Sequence, residues 1–192
     1  MVVMHFRKVS WLTGSVILLM SILACTINIG GPKYPDQPVP ISTVAVGELQ
    51  SAAQTAVAAG QASGQVTLVI SESQLTSYLV AYLQTQAQPL FTSPRVYLQD
   101  GQIQIYGIAR QGFFQANIKI VVTTGIDEQG RLKIELTSAD FGPLLVPAGL
   151  DEAVTAVLQE TLIGAIGPAA IGFRLENITV ADGKMTIFGR IK

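Results

Sequence analysis

The chain has 192 residues, of which 49% are hydrophobic and only 13% charged, with 12 Lys+Arg against 13 Asp+Glu. That length holds one domain, or one domain with a tethering segment, and a net charge of −1 leaves no basic excess with which to bind nucleic acid. His5 is the only histidine and Cys25 the only cysteine, which excludes Ser-His-Asp and Cys-His catalysis, His-bearing metal sites and an internal disulfide from the body of the chain; no cofactor is expected.

Residues 1–24 read as an export signal. Arg7 and Lys8 form a positive flank, residues 9–24 are uncharged, and the apolar centre is Val16-Ile17-Leu18-Leu19-Met20. The segment runs into Ile22-Leu23-Ala24-Cys25, which resembles the lipobox of bacterial lipoproteins: aliphatic, variable, small, then cysteine. That resemblance implies cleavage before Cys25 and a diacylglycerol on its sulfur. The protein would then be exported and anchored to the outer face of the cytoplasmic membrane, or to an outer membrane. Two other readings stay open. Residues 9–32 carry no charge and could be a retained membrane span of about 20 residues, although Asn28, Gly30, Gly31 and Pro32 fall in its second half. A free buried thiol at Cys25 is the other. Removing residues 1–24 takes away Arg7 and Lys8, leaving 10 basic and 13 acidic side chains and a charge of −3.

Residues 25–47 would be the lipidated cysteine and a tether. Pro32, Pro35, Pro38 and Pro40 favour an extended backbone, in which ten residues reach roughly 30 Å, enough for a stalk clear of the headgroups. Residues 48–64 would be a helix and linker: 48–59 are alanine-rich and helix-prone; their apolar stripe is thin, so light packing is expected, with Gly60 and Gly64 bracketing the end.

The domain proper, residues 65–192, opens on the strand Val66-Thr67-Leu68-Val69-Ile70. Ser71 and Gln74 form a capping-box pattern, and Leu75, Tyr78, Leu79, Tyr82 and Leu83 follow at helical spacing. Asp100-Gly101 between two alternating runs predicts a two-residue hairpin pairing Leu98 with Ile103 and Val96 with Ile105. In the next strand Phe114, Ala116, Ile118, Ile120 and Val122 share one face. After a turn at Glu128-Gln129-Gly130, Leu132, Ile134 and Leu136 alternate inward. A second helix spans residues 150–166 with Asp151 and Glu152 in its first turn and a stripe of Leu150, Val154, Val157, Leu158, Thr161, Leu162 and Ala165. The last hairpin turns at Asp182-Gly183, and its inward residues change from odd (Phe173, Leu175) to even (Ile178, Val180), which predicts a bulge.

The fold class that follows is α+β: a curved antiparallel sheet of about six or seven strands wrapped around two amphipathic helices. Residues 100–107 and 182–189 match at a constant offset of 82, each after an amphipathic helix, by duplication or by convergence. Asp127-Glu128 and Asp151-Glu152 are explained by turn polarity and the helix dipole, without chemistry. Helices laid along a curved sheet enclose an elongated apolar space, which is either a filled core or a channel for an acyl chain. Its lining would be Leu75, Leu79 and Leu83 of the first helix, Ile105, Phe114, Ile118, Ile120 and Ile134 of the sheet, and Val154, Leu158 and Leu162 of the second helix.

The order Ile70-Ser71-Glu72-Ser73-Gln74-Leu75, hairpin, Gly130-Arg131-Leu132-Lys133-Ile134, Phe141-Gly142-Pro143-Leu144-Leu145-Val146-Pro147, helix and Asp-Gly hairpin resembles the YpmS-like membrane-anchored proteins and the mycobacterial LmeA-type envelope proteins. More distantly it resembles the tubular lipid-binding superfamily. The resemblance spans residues 66–192 and implies a sheet wrapped around a helix, with a lipid as ligand; it brings no catalytic residue. Three functions are thus in view. One is a membrane-anchored, non-catalytic lipid binder. The second is an envelope scaffold that docks an unknown protein partner through Tyr97, Tyr106 and Phe188, and the third a lipid hydrolase working without histidine.

Overall fold

The computed structural model describes residues 26–166 and 173–191; Cys25 and residues 1–24, the expected export signal, lie outside them. Within them eight strands and three helices run in the order β1 (Ile27–Asn28), α1 (Thr43–Ser63), β2 (Gln65–Ser71), α2 (Glu72–Thr85), β3 (Thr92–Gln99), β4 (Gln102–Gln111), β5 (Phe114–Ile126), β6 (Leu132–Asp140), α3 (Leu150–Ile166), β7 (Phe173–Ala181) and β8 (Lys184–Ile191). The class is α+β, as the alternation of the sequence predicts. One sheet has five strands and the other three, in the order β2-β8-β7.

The larger sheet is a strongly curled half-barrel built on β5. One edge of β5 carries β4 from Phe114 to Thr123. The other is shared, with β6 antiparallel along residues 119–126 and β1 parallel at Phe114 and Gln115. A register shift between Val121 and Val122 leaves Thr137 of β6 without a partner on β5, a bulge that increases the local twist of the sheet. The concave face carries Val96, Leu98, Ile103, Ile105, Ile118, Ile120 and Val122, which share one interior with Leu75, Leu79 and Leu83 of α2 and Val154 and Leu158 of α3.

Local signals are realised as the sequence implies. Leu98 pairs with Ile103 and Val96 with Ile105, and the predicted bulge of β7 falls between Leu175 and Asn177. Ser71 Oγ accepts from the Gln74 amide at 3.3 Å while Gln74 Oε1 accepts from the Ser71 amide at 2.9 Å. The two Asp-Gly turns also meet. Asp100 and Asp182 have φ of 55° and 51°, followed by Gly101 and Gly183 at 73°, the doubly positive pattern of a tight hairpin turn. The Gly101 amide donates to the Val180 carbonyl at 3.0 Å, and the Gly183 amide to the Leu98 carbonyl at 2.9 Å. These two bonds interchange under the 82-residue offset, so the two echoing units are joined turn to turn by a local two-fold relation. Glu72 stitches the joint, accepting from the Leu98 amide at 2.7 Å and donating its own amide to the Gly183 carbonyl at 3.2 Å.

Two expectations are corrected. The alanine-rich helix runs over Thr43–Ser63, well beyond residues 48–59, and is not lightly packed: Ala45, Leu49 and Ala53 are buried, Leu49 completely. Its stripe is thin because its small side chains let the helix lie close to β2 and α2, so few large ones are needed. The proline-rich segment is not a free stalk either. Residues 26–42 form a strap that begins as β1 on the edge of β5 and continues over the convex face of the large sheet. The Ile27 amide donates to the Phe113 carbonyl and the Asn117 amide to the Gly30 carbonyl, both at 2.8 Å. Gly31, at φ +112°, passes so near Asn117 that any side chain there would strike its carbonyl oxygen. Further on, Tyr97 Oη donates to the Gln37 carbonyl at 2.8 Å, and Val39 and Tyr34 pack on Tyr97 and Tyr106. The physical reason is that Tyr97 and Tyr106 make the convex face apolar, and the nearest apolar residues able to cover it belong to the strap itself.

Candidate functional site: a cleft between strand β6 and helix α3

The interior forms from the residues expected to line an acyl channel. Leu75, Leu79, Leu83, Ile105, Ile118, Ile120, Ile134, Val154 and Leu158 are all buried in one apolar cluster. Phe114 is not among them. It keeps the alternation of β5 but sits at the hairpin tip, beyond the last β6 pair at Lys119, and is 47% exposed. The side chain of Leu162 and the whole of Cys25 lie outside the described residues.

Where the interior approaches the surface, a cleft of about 690 Å³ opens between β6 and α3. Ile134, Leu136 and Ala156 give it an apolar floor, Thr155 and Gln159 line the helix side, and Glu135, Asp151 and Glu152 stand at the mouth. The geometry follows from topology. β6 pairs only with β5 among the described residues, so its second edge presents unpaired backbone N–H and C=O groups beside α3. Residues 151, 155 and 159 recur every four positions, as do 152 and 156, so small and polar side chains share one helix face next to the buried Val154 and Leu158. The sequence held this signal as i,i+4 spacing, but the sheet edge opposite it is a tertiary fact. Ile134 is the expected lining residue that reaches the cleft; the polar residues around it were not foreseen.

The charged groups of the mouth are wet. Lys133 Nζ pairs with Glu135 at 2.6 Å, both side chains more than half exposed, and the hydrogen bond to Glu135 raises the lysine pKa. Asp127 is occupied at the β5–β6 turn: its carboxylate accepts from the Gln129 and Arg131 amides at 2.9 and 2.8 Å and from Arg131 Nε at 2.7 Å. The Arg131 amide bond foremost holds its pKa below the ordinary carboxylate range. A second cleft, about 900 Å³, lies where the two Asp-Gly turns meet and is bordered by Glu72, Asp100, Asp182, Gln37 and Tyr97. Its polar walls offer little to an acyl chain.

The convex aromatic cluster takes a different part from the one the sequence suggested. The rings of Tyr34 and Tyr97 each stand 5.5 Å from that of Tyr106. Arg95 lies 5.1 Å over Tyr34, and Lys119 lies 5.5 Å over Tyr106. Tyr97 and Tyr106 are buried beneath the strap, while Phe188 is half-buried on β8 in the other sheet. The exposed aromatic patch expected of a scaffold is thus covered by the chain itself.

A model of the LmeA-like phospholipid-binding family matches residues 37–190. The chain belongs to that family. No curated protein matches it. The LmeA-like span begins in the strap, includes both walls of the β6–α3 cleft and ends in β8, and the family match supports lipid binding.

Proposed function

We propose that the protein is a non-catalytic, membrane-anchored phospholipid-binding protein working outside the cytoplasmic membrane, held there through lipidated Cys25. An acyl chain lies along the β6–α3 cleft. The observation that carries this is the cleft itself: an apolar floor of Ile134, Leu136 and Ala156 joined to the core, in a chain of a phospholipid-binding family. The floor takes methylenes, each contributing about 0.8 kcal/mol when fully buried. The free edge of β6 supplies amide donors suited to ester carbonyls. Three carboxylates at the mouth against Lys133 disfavour an anionic headgroup there and tolerate one bearing an ammonium.

Native mass spectrometry of the full chain, extracted from membranes and then exchanged into a volatile buffer, tests the reading. Adducts of phospholipid mass, at one per chain and removable by organic extraction, are the expected result. Their absence, with no uptake of added phosphatidylethanolamine, would defeat it. For the anchor, a Cys25→Ser chain should lose the mass of the diacylglyceryl group.

A further inference from the structure

The geometry points to the β4–β5 hairpin tip as a membrane-inserting element that seats the domain directly on the bilayer. The tip collects large apolar side chains that nothing among the described residues covers: Phe113 is 61% exposed, Ile27 52% and Phe114 47%. They are neighbours, since Ile27 pairs with Phe114 and donates its amide to the Phe113 carbonyl at 2.8 Å. Elsewhere on the large sheet the chain covers its apolar surface, as the strap does over Tyr97 and Tyr106, so a bare tip is a contrast within one sheet.

Two observations select a bilayer as the occupant. The first is where the remaining chain lies. β1 begins two residues after Cys25, and the segment just before Cys25, residues 9–24, is uncharged and apolar. Whether that segment is cleaved to leave a lipidated cysteine or is retained, the tip is bonded to the residues nearest the membrane, and the strap leaves no slack for a 30 Å stalk. The second is charge. Residues 102–126, the whole of β4, the tip and β5, contain no Asp or Glu, and their charged residues are Arg110 and Lys119. Arg110 is exposed, lies one register step from Phe114 and makes no ion pair among the described residues. Apolar side chains with a flanking cation match the headgroup–acyl boundary of an anionic bilayer. The loop after β6, which touches Gly31 at Gly142, adds exposed Leu145 and Val146.

The inference rests on the membrane anchorage proposed above and is independent of the cleft. Its test uses the full chain carrying Trp11→Phe with either Phe113→Trp or, as a control on exposed β2, Val69→Trp. Each is reconstituted into vesicles of phosphatidylcholine and phosphatidylglycerol, with and without acyl-brominated phosphatidylcholine. Insertion of roughly 5–10 Å predicts a blue-shifted F113W emission quenched at least about two-fold more than that of V69W. If the chain floats with the vesicles but F113W is quenched no more than V69W, the tip proposal falls and the anchor stands. A chain that does not float overturns both, while lipid retained in the cleft would be unaffected by either result.

Discussion

Plugging the β6–α3 cleft is the sharpest test of where an acyl chain lies, and Ala156→Trp is the plug. Ala156 is exposed and lies midway along the lining stretch from Asp151 to Gln159. At 1.5 Å per residue that stretch is about 12 Å long, room for roughly eight to ten methylenes at about 0.8 kcal/mol each when fully buried. One side of the cleft stays open to water, so about half of that is recovered, roughly 3–4 kcal/mol. An indole at position 156 displaces about half the chain and should cost about 2 kcal/mol, a loss near thirty-fold in affinity. The fold should tolerate it, because the substitution sits on an exposed helix position and changes helix propensity by only about 0.5 kcal/mol. Ala58→Trp, the same exchange at an exposed position of α1 that does not line the cleft, is the matched control. Titration with a pyrene-labelled phosphatidylethanolamine gives the affinities. If A156W and A58W agree within about two-fold at unchanged melting temperature, the acyl chain is not in this cleft.

Three further outcomes follow from the packing. Leu49→Ala should destabilise the protein by about 2–5 kcal/mol in urea unfolding followed by circular dichroism, because Leu49 is wholly buried on the face of α1 that packs on β2 and α2; a loss under about 1 kcal/mol would restore the lightly packed helix. Tyr97→Phe removes the 2.8 Å bond to the Gln37 carbonyl and should cost about 0.5–1.5 kcal/mol, seen as faster hydrogen exchange confined to the strap, and a matching fall in global stability would contradict a separable strap. Burial raises the pKa of Tyr34 against the opposing pull of Arg95, and burial raises that of Tyr97. Groups with folded pKa values above the unfolded ones stabilise fully below the unfolded value, and that contribution is lost as pH rises through the folded one. Strap protection should therefore be complete below the ordinary tyrosine value and fall progressively as pH climbs from there to the raised folded values, tracked by tyrosinate absorbance together with exchange of residues 34–39. Strap release well below that range would refute the assignment.

What could be read from the sequence is what is local. Alternation at 95–106 set the register Leu98–Ile103, because two-residue periodicity with an Asp-Gly turn admits one pairing that buries a whole face. Ser71 and Gln74 announced the start of α2, and the odd-to-even change placed the β7 bulge, since each depends on neighbours a few residues away. Phe114 shows the limit. It obeys the inward periodicity of β5, yet the core ends before it, and a strand pattern does not say where the layer beneath it stops.

Tertiary structure decided the rest, through contacts between residues far apart in the chain. Ala45, Leu49 and Ala53 make a weak stripe by composition and a buried one only because β2 and α2 come close. The prolines of the strap favour extension whether the segment points into solvent or lies along a sheet. Tyr97, sixty positions from Gln37, chose between the two. The cleft likewise exists because β6 has no second strand beside it among the described residues and α3 carries small side chains along that edge. Periodicity sets which face of an element is apolar; the neighbour that covers it, or fails to, is set by the whole chain at once.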